Sequence, residues 1–408
     1  MSIGEEARWA WETLNDLGLK GPEDSSLLVV SWNALAQRLM HIDAAFDHPN
    51  AWHSVAVKTQ PHHGVLRQMA SWGYGLEAAS FEEVRLAQQA DAPYVVFDSP
   101  VKRWSEIEAC QELGVDMLLN VNTLEELPRM PASPNFKLGI RVNPQVHSDA
   151  PEIYHVSGDE SKFGVPMAQR QEILAAIMEY PVAALHVHSG SSMKQMQAAV
   201  EAIQSVVALA DEANAMLAQA GLDRRIDTID IGGGMAPESE QLADGASAMW
   251  AYAQSLRAVV PQLWTDYHLV TEFGQWTHFH TGYAFTDVEY AVDRGEQRVA
   301  FLHLGADFLM RDAYTTPRDL VFELLVDEER ATRSHDLAGP LCFAGDYIGR
   351  SVELPELAEG DQLLIRNTGA NAYALWSRHC SRDIPKVLGV DYEAQSIDIL
   401  SERVNPFV

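Results

Sequence analysis

Short apolar runs alternate with longer helical stretches between residues 54 and 274. Helical segments such as FEEVRLAQQ and AVEAIQSVVALADEANAMLAQAG separate eight runs of strand-like composition. The eight runs and their last residues are SVAVK (Lys58), LEAAS (Ser80), YVVFDS (Ser99), MLLNVN (Asn122), KLGIRVNP (Pro144), AALHVH (His188), TIDIGGG (Gly234) and LVTEFG (Gly274). Eight successive strand–helix units predict an α/β fold, a TIM-type (β/α)8 barrel of parallel strands.

The pattern changes after residue 275. The runs TGYAFTDVEYAVD, RVAFLHL, LVFELLV and DQLLIRN are strand-like, and no long helix separates the first of them. A further strand-like run, SSLLVVSW, precedes the barrel. We therefore predict a barrel over 36–274 and a mostly β C-terminal domain over 275–408, joined by a strand from the segment 1–35.

Composition narrows the classes of protein that the chain can represent. Its 408 residues carry a net charge of −29, which argues against nucleic acid or an anionic membrane surface as a partner. The sequence holds no apolar run of membrane-spanning length, and MSIGEEARWAWETL lacks the basic n-region of a signal peptide. Cys110, Cys342 and Cys380 form no disulfide framework and no CxxC pair. We expect a cytoplasmic protein.

Residues with reactive or binding side chains collect where the predicted strands end. They are Lys58, Ser80, Asp98, Asn120, Arg141, His188, Gly232 to Gly234 and Glu272. In a barrel of this type the C-terminal ends of the strands form the face that carries the active site. The sequence therefore predicts that a lysine, an arginine, a histidine and a glutamate converge on one rim.

The rim chemistry favours one kind of cofactor. Lys58 ends an apolar strand, where burial would lower the pKa of its amine, as Schiff-base chemistry requires. Glycine turns after three consecutive strands, around Gly190, at Gly232–Gly234 and at Gly274, offer backbone N–H groups to a phosphate. Each feature alone is more often a solvated lysine or a tight turn. Together they suggest an aldehyde that bears a phosphate, pyridoxal 5'-phosphate (PLP).

Two histidines of the same predicted strand have different interpretations. His188 could stack on the ring face of the cofactor, and Glu272 would then face the pyridine nitrogen. His186 lies two residues earlier and is interpreted as structural. A metal site is the competing idea, because HFH (His278, His280) and HVH could each supply two ligands. Neither pair has a carboxylate at a diagnostic spacing, so we predict no metal.

The motifs, taken in order, resemble those of the PLP-dependent amino-acid decarboxylases of the alanine-racemase fold, which include diaminopimelate and ornithine decarboxylases. The resemblance runs from about residue 26 to the C-terminus. It rests on VAVKTQP, LNVNTLEEL, RVNP, SKFGV, HVHSGSS, IDIGGGM and TEFG in the barrel, and on GADFLMRDAY, GPLCFAGD and NTGANAY after it.

The resemblance implies a homodimer with shared active sites and a role for each matching residue. Lys58 would carry PLP as a Schiff base, Glu272 would bind the pyridine nitrogen, and Cys342 of the partner subunit would return a proton to the substrate, a step that Lys58 could also perform. The other implied positions are Arg141, His188, Ser191, Gly232, Gly233, Gly234, Gly274 and Tyr373 at the cofactor, and Arg311, Phe343 and Asp346 at the substrate.

The sequence departs from the family pattern at four places. Gln275 stands where an arginine is usual, and Phe343 stands where diamine-forming enzymes have an acid. The carboxylate that ornithine-type enzymes use aligns near Thr316, with Asp312 close by. The usual Gly-Ala-Tyr reads Gly-Ala-Asn at 369–371, so either Asn371 or Tyr373 takes the place of the tyrosine.

These departures shape the predicted substrate. An apolar Phe343 cannot pair with a distal ammonium group, and an unpaired buried charge is costly. We therefore predict a larger, carboxylate-rich acid, such as a siderophore intermediate. The alternative is a diaminopimelate, lysine or ornithine decarboxylase. An amino-acid racemase is disfavoured, since racemases of this fold place an arginine, not a glutamate, at the pyridine nitrogen.

Overall fold

The computed structural model describes residues 2–154, 156–237, 246–295, 297–315, 317–326, 328–405 and 407. The chain divides into two compact units. The first combines Met1–Arg38 with Thr277–Val408, and the second spans Leu39–Trp276. We call the first unit the β domain and the second the barrel.

Helices and strands follow one another along the chain as the apolar pattern indicates. The helices are α1 (Ile3–Asp16), α2 (Trp32–Phe46), α3 (His63–Ser71), α4 (Phe81–Gln89), α5 (Trp104–Cys110), α6 (Arg170–Glu179), α7 (Gln197–Gln219), α8 (Ala246–Val259), α9 (Gln262–Thr265), α10 (Gly274–His278) and α11 (Met310–Tyr314). None of the helices in the described part of the chain is long and apolar enough to cross a membrane.

The strands fall into two sheets. In chain order they are β1 (Ser26–Ser31), β2 (Ala51–Ala56), β3 (Gly75–Ala78), β4 (Tyr94–Phe97), β5 (Asp116–Val121), β6 (Lys137–Asn143), β7 (Val165–Pro166), β8 (Val182–His186), β9 (Thr228–Asp230), β10 (His268–Thr271), β11 (Gly282–Arg294), β12 (Gln297–Leu302), β13 (Val321–Leu324), β14 (Thr332–Ala338), β15 (Tyr347–Pro355), β16 (Gln362–Arg366), β17 (Lys386–Asp391) and β18 (Ser396–Ser401).

The barrel is a closed sheet of parallel strands. Its order is β5-β4-β3-β2-β10-β9-β8-β6, and β6 pairs with β5 to complete the ring, which confirms the predicted TIM-type barrel. The short strand β7 adds to the edge of β6. Most strand residues are buried on both faces, since the barrel interior and the surrounding helices cover them.

All eight barrel strands end before the last residue of the predicted run, and two of these differences change the role of a predicted residue. β2 ends at Ala56, and Lys58 lies in a single 3-10 turn, Val57–Thr59, that follows it directly. Thr59 Oγ1 donates to the carbonyl of Ala56 at 2.6 Å and fixes this turn. Similarly β3 ends at Ala78, and Ser80 is the N-cap of α4, because its side chain accepts the N–H of Glu83. The Ser80 side chain therefore caps the N-terminus of α4.

The β domain is a mostly β sheet structure in which the N-terminal strand is central. β1 pairs antiparallel with β11 and parallel with β17, which confirms that the N-terminal strand joins the C-terminal strands. The full path is β15-β14-β12-β11-β1-β17-β18, with β16 on β11 and β13 on β16. Helix α1 packs Ala7, Ala10 and Leu14 against this sheet in one apolar core.

Candidate active site

The strand register aligns polar side chains at the C-terminal end of the barrel. Arg141 on β6, His186 on β8 and Asp230 on β9 are direct neighbours across the sheet. Glu272 follows β10 and stands two residues beyond the partner of Asp230, so it points to the same face. Asp98 likewise stands two residues beyond the β4 neighbour of the β3 residue Glu77. The register thus places these six side chains, on neighbouring strands, on the inner face of one rim.

Lys58 forms an ion pair on this rim. Its Nζ donates to Glu77 Oε2 at 2.5 Å; the Glu77 side chain is 1% exposed and that of Lys58 52%. Burial disfavours the ammonium, but the carboxylates of Glu77 and Glu272 outweigh burial and raise the pKa of Lys58. The expectation of a lowered pKa was therefore wrong for the cofactor-free chain, because the strand pattern did not show that two acids surround the amine.

Asp98 lies between Arg141 and His186. Arg141 Nη1 donates to Asp98 Oδ2 at 2.6 Å, and His186 Nδ1 lies 3.3 Å from Asp98 Oδ1. Burial alone would raise the pKa of Asp98, but Arg141 and then His186 reverse that effect and hold it below its usual range. Arg141 is therefore positioned by Asp98, so its guanidinium is not free to swing towards solvent.

Glu272 is buried without full hydrogen bonding. Its side chain is 5% exposed, its Oε2 lies 3.7 Å from His186 Nε2, and its Oε1 makes no hydrogen bond within the described residues. Burial, followed by the acids Asp230, Glu77 and Asp98, raises the pKa of Glu272 well above its usual value. A buried oxygen of this kind is a place where a hydrogen-bond donor is missing.

The histidine of the predicted stacking position is neutral. Gly233 N–H donates to His188 Nδ1 at 3.2 Å, which leaves the ring proton on Nε2. Burial, and after it the charge of Arg141, lowers the pKa of His188 well below its usual value. The ring is half-buried, so one part of it is open to a bound molecule.

The glycine turn after β9 is packed against both neighbouring strand ends. A Cβ on Gly233 would come within 2.3 Å of the Glu272 carbonyl oxygen, and one on Gly234 within 2.0 Å of the Gly190 oxygen. Gly234 also has a φ of 93°. Only glycine fits at these two positions, because a side chain would clash with the neighbouring strand ends. The backbone of the turn can therefore approach those strand ends closely.

The other predicted phosphate residues line the next turns. Ser191 N–H donates to the carbonyl of Tyr154 at 3.3 Å. Ser192 Oγ donates to Gln275 Oε1 at 2.9 Å, so the residue that replaces the usual arginine anchors the serine turn. A Cβ on Gly274 would come within 2.7 Å of Ala56 Cβ and of Thr59, so this glycine lets α10 begin beside the turn that carries Lys58.

The predicted substrate residues belong to the β domain. Cys342 is exposed, and its N–H donates to Cys380 Sγ at 3.3 Å. Phe343 is 36% exposed and stacks on Tyr314, with ring centroids 4.8 Å apart and planes at 9°. Arg311 is half-buried in the same helix as Tyr314. Cys342 and Phe343 thus form an accessible surface, which a buried packing segment would not.

Asp346 is buried and holds the backbone of this segment. It accepts the N–H of Ala306 at Oδ1 and that of Leu341 at Oδ2, both at 2.6 Å. These bonds use both carboxylate oxygens, so the geometry fits a positioning role; that Asp346 binds substrate stays a prediction.

Four further positions bear on the departures from the family pattern. Asp312 forms an ion pair with Arg318 at 2.6 Å and is buried, so its carboxylate is already engaged. Thr316 lies outside the described residues. Tyr373 is half-buried and packs on the β-domain core, while Asn371 has a φ of 55°. The choice between Asn371 and Tyr373 at the phosphate stays open.

Comparison with known proteins identifies the family. The model of "pyridoxal-dependent decarboxylase, pyridoxal binding domain" matches residues 33–278. The chain belongs to this family, which confirms the predicted class of enzyme, a PLP-dependent amino-acid decarboxylase, and its cofactor.

Individual relatives extend the likeness over both units. The diaminopimelate decarboxylase of Helicobacter pylori is 25% identical over 384 residues, 91% of each chain, and that of Pseudomonas aeruginosa is 29% identical over 351 residues, 83% of this chain and 81% of the relative. The solved Helicobacter pylori enzyme, complexed with L-lysine, superposes with a TM-score of 0.83 at 22% identity, covering 96% of each chain, and shows the shared fold.

The rim residues fit PLP on their own chemistry. The unbonded Glu272 Oε1 can accept the N–H of a protonated pyridine ring, and the Lys58 amine is the one rim group in the described residues able to bind an aldehyde. The glycine turn brings backbone close enough to receive a phosphate.

Sequence reasoning missed two residues of the rim, Glu77 and Asp230, and interpreted a third, His186, as structural. All three are almost fully buried. Each is an ionisable residue inside an apolar strand, two or three positions before a predicted rim residue. That signal was available in LEAAS, AALHVH and TIDIGGG, but the last residue of each run drew the interpretation instead.

Proposed function

We propose that the barrel binds PLP with Lys58 at the aldehyde, Glu272 at the ring nitrogen, and Ser191, Gly274 and the Gly232–Gly234 turn at the phosphate. The buried Glu272 Oε1, which lacks a donor within the described residues, is the observation that carries this assignment. When bound, PLP supplies an electron-accepting ring that stabilises the negative charge left on Cα as CO2 departs.

The chain's own residues prepare this chemistry. The Lys58 ammonium must lose a proton before it can bind a carbonyl, and Glu77 Oε2, 2.5 Å away, is placed to take that proton. The neutral His188 ring presents an uncharged face to the cofactor ring, and Arg141, held by Asp98, contributes positive charge to the same rim. Glu272 supplies the acceptor that keeps a proton on the pyridine nitrogen.

We further propose that the active enzyme is a homodimer. In this arrangement the β domain of one copy presents Cys342 and Arg311 to the barrel of the other, with Tyr373 near the phosphate. Cys342 would deliver a proton to Cα, and Arg311 would bind a substrate carboxylate. The exposure of Cys342 and the firm support of its segment by Asp346 favour this role over packing.

Diaminopimelate is the first candidate substrate. The diaminopimelate decarboxylases of Helicobacter pylori and Pseudomonas aeruginosa match the chain over more than four fifths of their length, and the likeness includes the β domain. The comparisons thus favour the alternative, a diaminopimelate, lysine or ornithine decarboxylase, over an enzyme for the predicted siderophore-type acid.

The Phe343–Tyr314 stack favours a second candidate substrate, an amino acid whose distal group is apolar or acylated. The described carboxylates nearest in sequence to Arg311 and Cys342 are engaged elsewhere, Asp312 with Arg318 and Asp346 with backbone N–H groups. A stacked aromatic pair suits an apolar or acylated distal group better than a free ammonium.

A substrate screen separates the two candidates. Purified enzyme with PLP would be assayed for CO2 release from meso-diaminopimelate, lysine, ornithine and matched amino acids whose distal nitrogen is acylated. We expect release from diaminopimelate; preference for the acylated acids would assign the second candidate. Phe343→Glu is the matched variant, and it should shift the preference towards amino acids with a free distal amine. If the wild-type enzyme releases no CO2 from any of these acids, the proposal is contradicted.

A further inference from the structure

The barrel rim contains more acids than fixed cations. Among the described residues of the rim, Lys58 pairs with Glu77 and Arg141 pairs with Asp98. Within the described part of the chain, two buried acids, Asp230 and Glu272, form no ion pair with a lysine or an arginine. Ligand atoms of Asp230, Glu272 and His186 all lie within 4.8 Å of one another, so the imidazole is the group that can balance them.

The ring of His186 is placed between two carboxylates. It is 0% exposed, with Nδ1 at 3.3 Å from Asp98 and Nε2 at 3.7 Å from Glu272. A neutral imidazole has an N–H on only one nitrogen, whereas a protonated one has an N–H on both. Neither nitrogen makes a hydrogen bond within the described residues, so the ring acts on the two acids through its charge, and only the protonated ring directs an N–H towards each of them.

We propose that His186 is a positioning residue that stays protonated between Asp98 and Glu272, and that its charge holds Glu272 as the carboxylate that faces the cofactor's ring nitrogen. This inference rests on the proposed function, since it assigns Glu272 to that nitrogen. A neutral Glu272 would carry its own proton and could no longer accept the ring N–H through both oxygens.

The surroundings of both groups support a charged pair. Asp98, Asp230 and Glu272 face the His186 ring, and Arg141 is the cation that opposes them. Burial lowers the pKa of His186, but Asp98 and then Asp230 outweigh burial and raise it. Glu272 faces Asp230, Glu77 and Asp98 as well as Lys58, so it needs positive charge close by in order to ionise.

The first experiment measures the protonation of His186 in the apoenzyme. Nitrogen NMR of 15N-histidine-labelled protein would be recorded between pH 6 and 9, with the His186→Gln spectrum to assign the signal. We expect both ring nitrogens of His186 to carry protons at pH 7.5. A neutral ring at that pH would overturn the proposal without any reference to activity.

The second experiment uses the holoenzyme and two isosteric variants. His186→Gln keeps an N–H near the position of Nε2 and His186→Asn keeps one near Nδ1, but neither carries charge. We expect both to lower kcat by about 10- to 100-fold, the usual range for outer-shell partners, with KM little changed and the acid limb of the pH profile moved upward. Near-normal kcat and an unmoved pH profile in His186→Gln would show that hydrogen bonding alone suffices, and would overturn the proposal.

A matched control comes from another buried barrel histidine. His53 hydrogen-bonds Thr271 Oγ1 at 3.0 Å, and burial lowers its pKa to about 4, so it is neutral. His53→Gln should leave the pH profile in place; a shift equal to that of His186→Gln would count against the inference. Failure of the wild-type protein to bind PLP would instead refute the proposed function, and the NMR result would still decide the charge of His186.

Discussion

The barrel and the β domain bury charged groups in different ways. In the β domain, Asp346 is bonded to two backbone N–H groups, Asp312 to Arg318, and Lys386 to Asp24 at 2.8 Å. On the barrel rim, by contrast, Glu77 and Glu272 each keep one buried oxygen without a hydrogen bond within the described residues. In the β domain, Asp307 Oδ2 also lacks a hydrogen bond within the described residues, but Arg382 Nε lies 3.3 Å away as a charge partner, whereas no Lys or Arg forms an ion pair with Glu272 in the described part of the rim.

This difference separates structural charges from functional ones. A buried acid that is fully hydrogen-bonded supports the fold, and removing a partner destabilises it. A buried acid with a missing donor weakens the fold unless a ligand supplies that donor. The comparison therefore predicts that variants on the rim impair the reaction, whereas variants at the paired sites of the β domain impair stability.

The largest contrast is expected between two lysines. Lys58→Ala should reduce CO2 release by roughly 100- to 10,000-fold, the range for loss of a positioned proton-transfer group. It should lower the free energy of unfolding by less than Lys386→Met does, because the Lys58 side chain is 52% exposed. Lys386→Met should leave the reaction intact but lower the free energy of unfolding by about 3 kcal/mol, because Asp24 loses its buried partner. Equal loss of stability in both variants, measured by urea unfolding, would remove the distinction.

Asp346→Ala tests the paired acids of the β domain. The change leaves the N–H groups of Ala306 and Leu341 without an acceptor, so the free energy of unfolding should fall by about 2–4 kcal/mol. Asp398→Ala, at an exposed position of β18, is the control and should change it by less than about 0.5 kcal/mol. A stable Asp346→Ala protein that fails only in substrate binding would assign Asp346 to the substrate instead.

Glu272→Gln tests the incomplete acids of the rim. Burial and neighbouring acids disfavour the Glu272 carboxylate and raise its pKa, so a neutral amide in its place should maintain or raise the stability of the folded apoprotein at pH 8. Activity should nevertheless fall by about 100-fold, within the range of electrostatic groups at reacting centres. A clear loss of apoprotein stability on urea unfolding would mean that Glu272 is structural.

The smallest effect is expected for Glu6, a β-domain acid whose partners are uncharged. It accepts hydrogen bonds from Ser31 at 2.7 Å and Tyr283 at 3.3 Å, and burial raises its pKa to about 7. Since the folded pKa exceeds the unfolded one, its contribution to stability is complete below about pH 4.5 and is lost as the pH rises towards 7. Glu6→Gln should abolish that dependence, on the order of 2 kcal/mol. An unchanged pH profile of unfolding would contradict it.

Much of the fold followed from the sequence, because apolar runs and helical periodicity report directly on burial. The same pattern indicated that a strand of the N-terminal segment joins the β domain, whereas its position between β11 and β17 came from the structure. The rim residues Lys58, Arg141, His188 and Glu272 could also be predicted, because parallel strands bring their C-terminal ends to one side of a barrel.

What the sequence did not reveal were the pairings inside the rim. The direction in which the pKa of Lys58 shifts depends on Glu77 and Glu272. The surroundings of His186 depend on Asp98 and Asp230. These acids come from different strands. The apolar and polar pattern of one strand determines the face on which an ionisable residue lies. It does not determine which charged residues of other strands lie beside it. The sequence also did not reveal that β2 ends before Lys58, where Thr59 hydrogen-bonds the Ala56 carbonyl.

The most direct test asks which lysine holds the cofactor. The holoenzyme would be reduced with borohydride, digested, and sequenced by mass spectrometry, with Lys58→Ala protein treated in parallel. The account predicts a phosphopyridoxyl group on Lys58 of the wild-type protein and no specific labelling of the variant. Stable labelling of a different lysine, or equal labelling of both proteins, would contradict it.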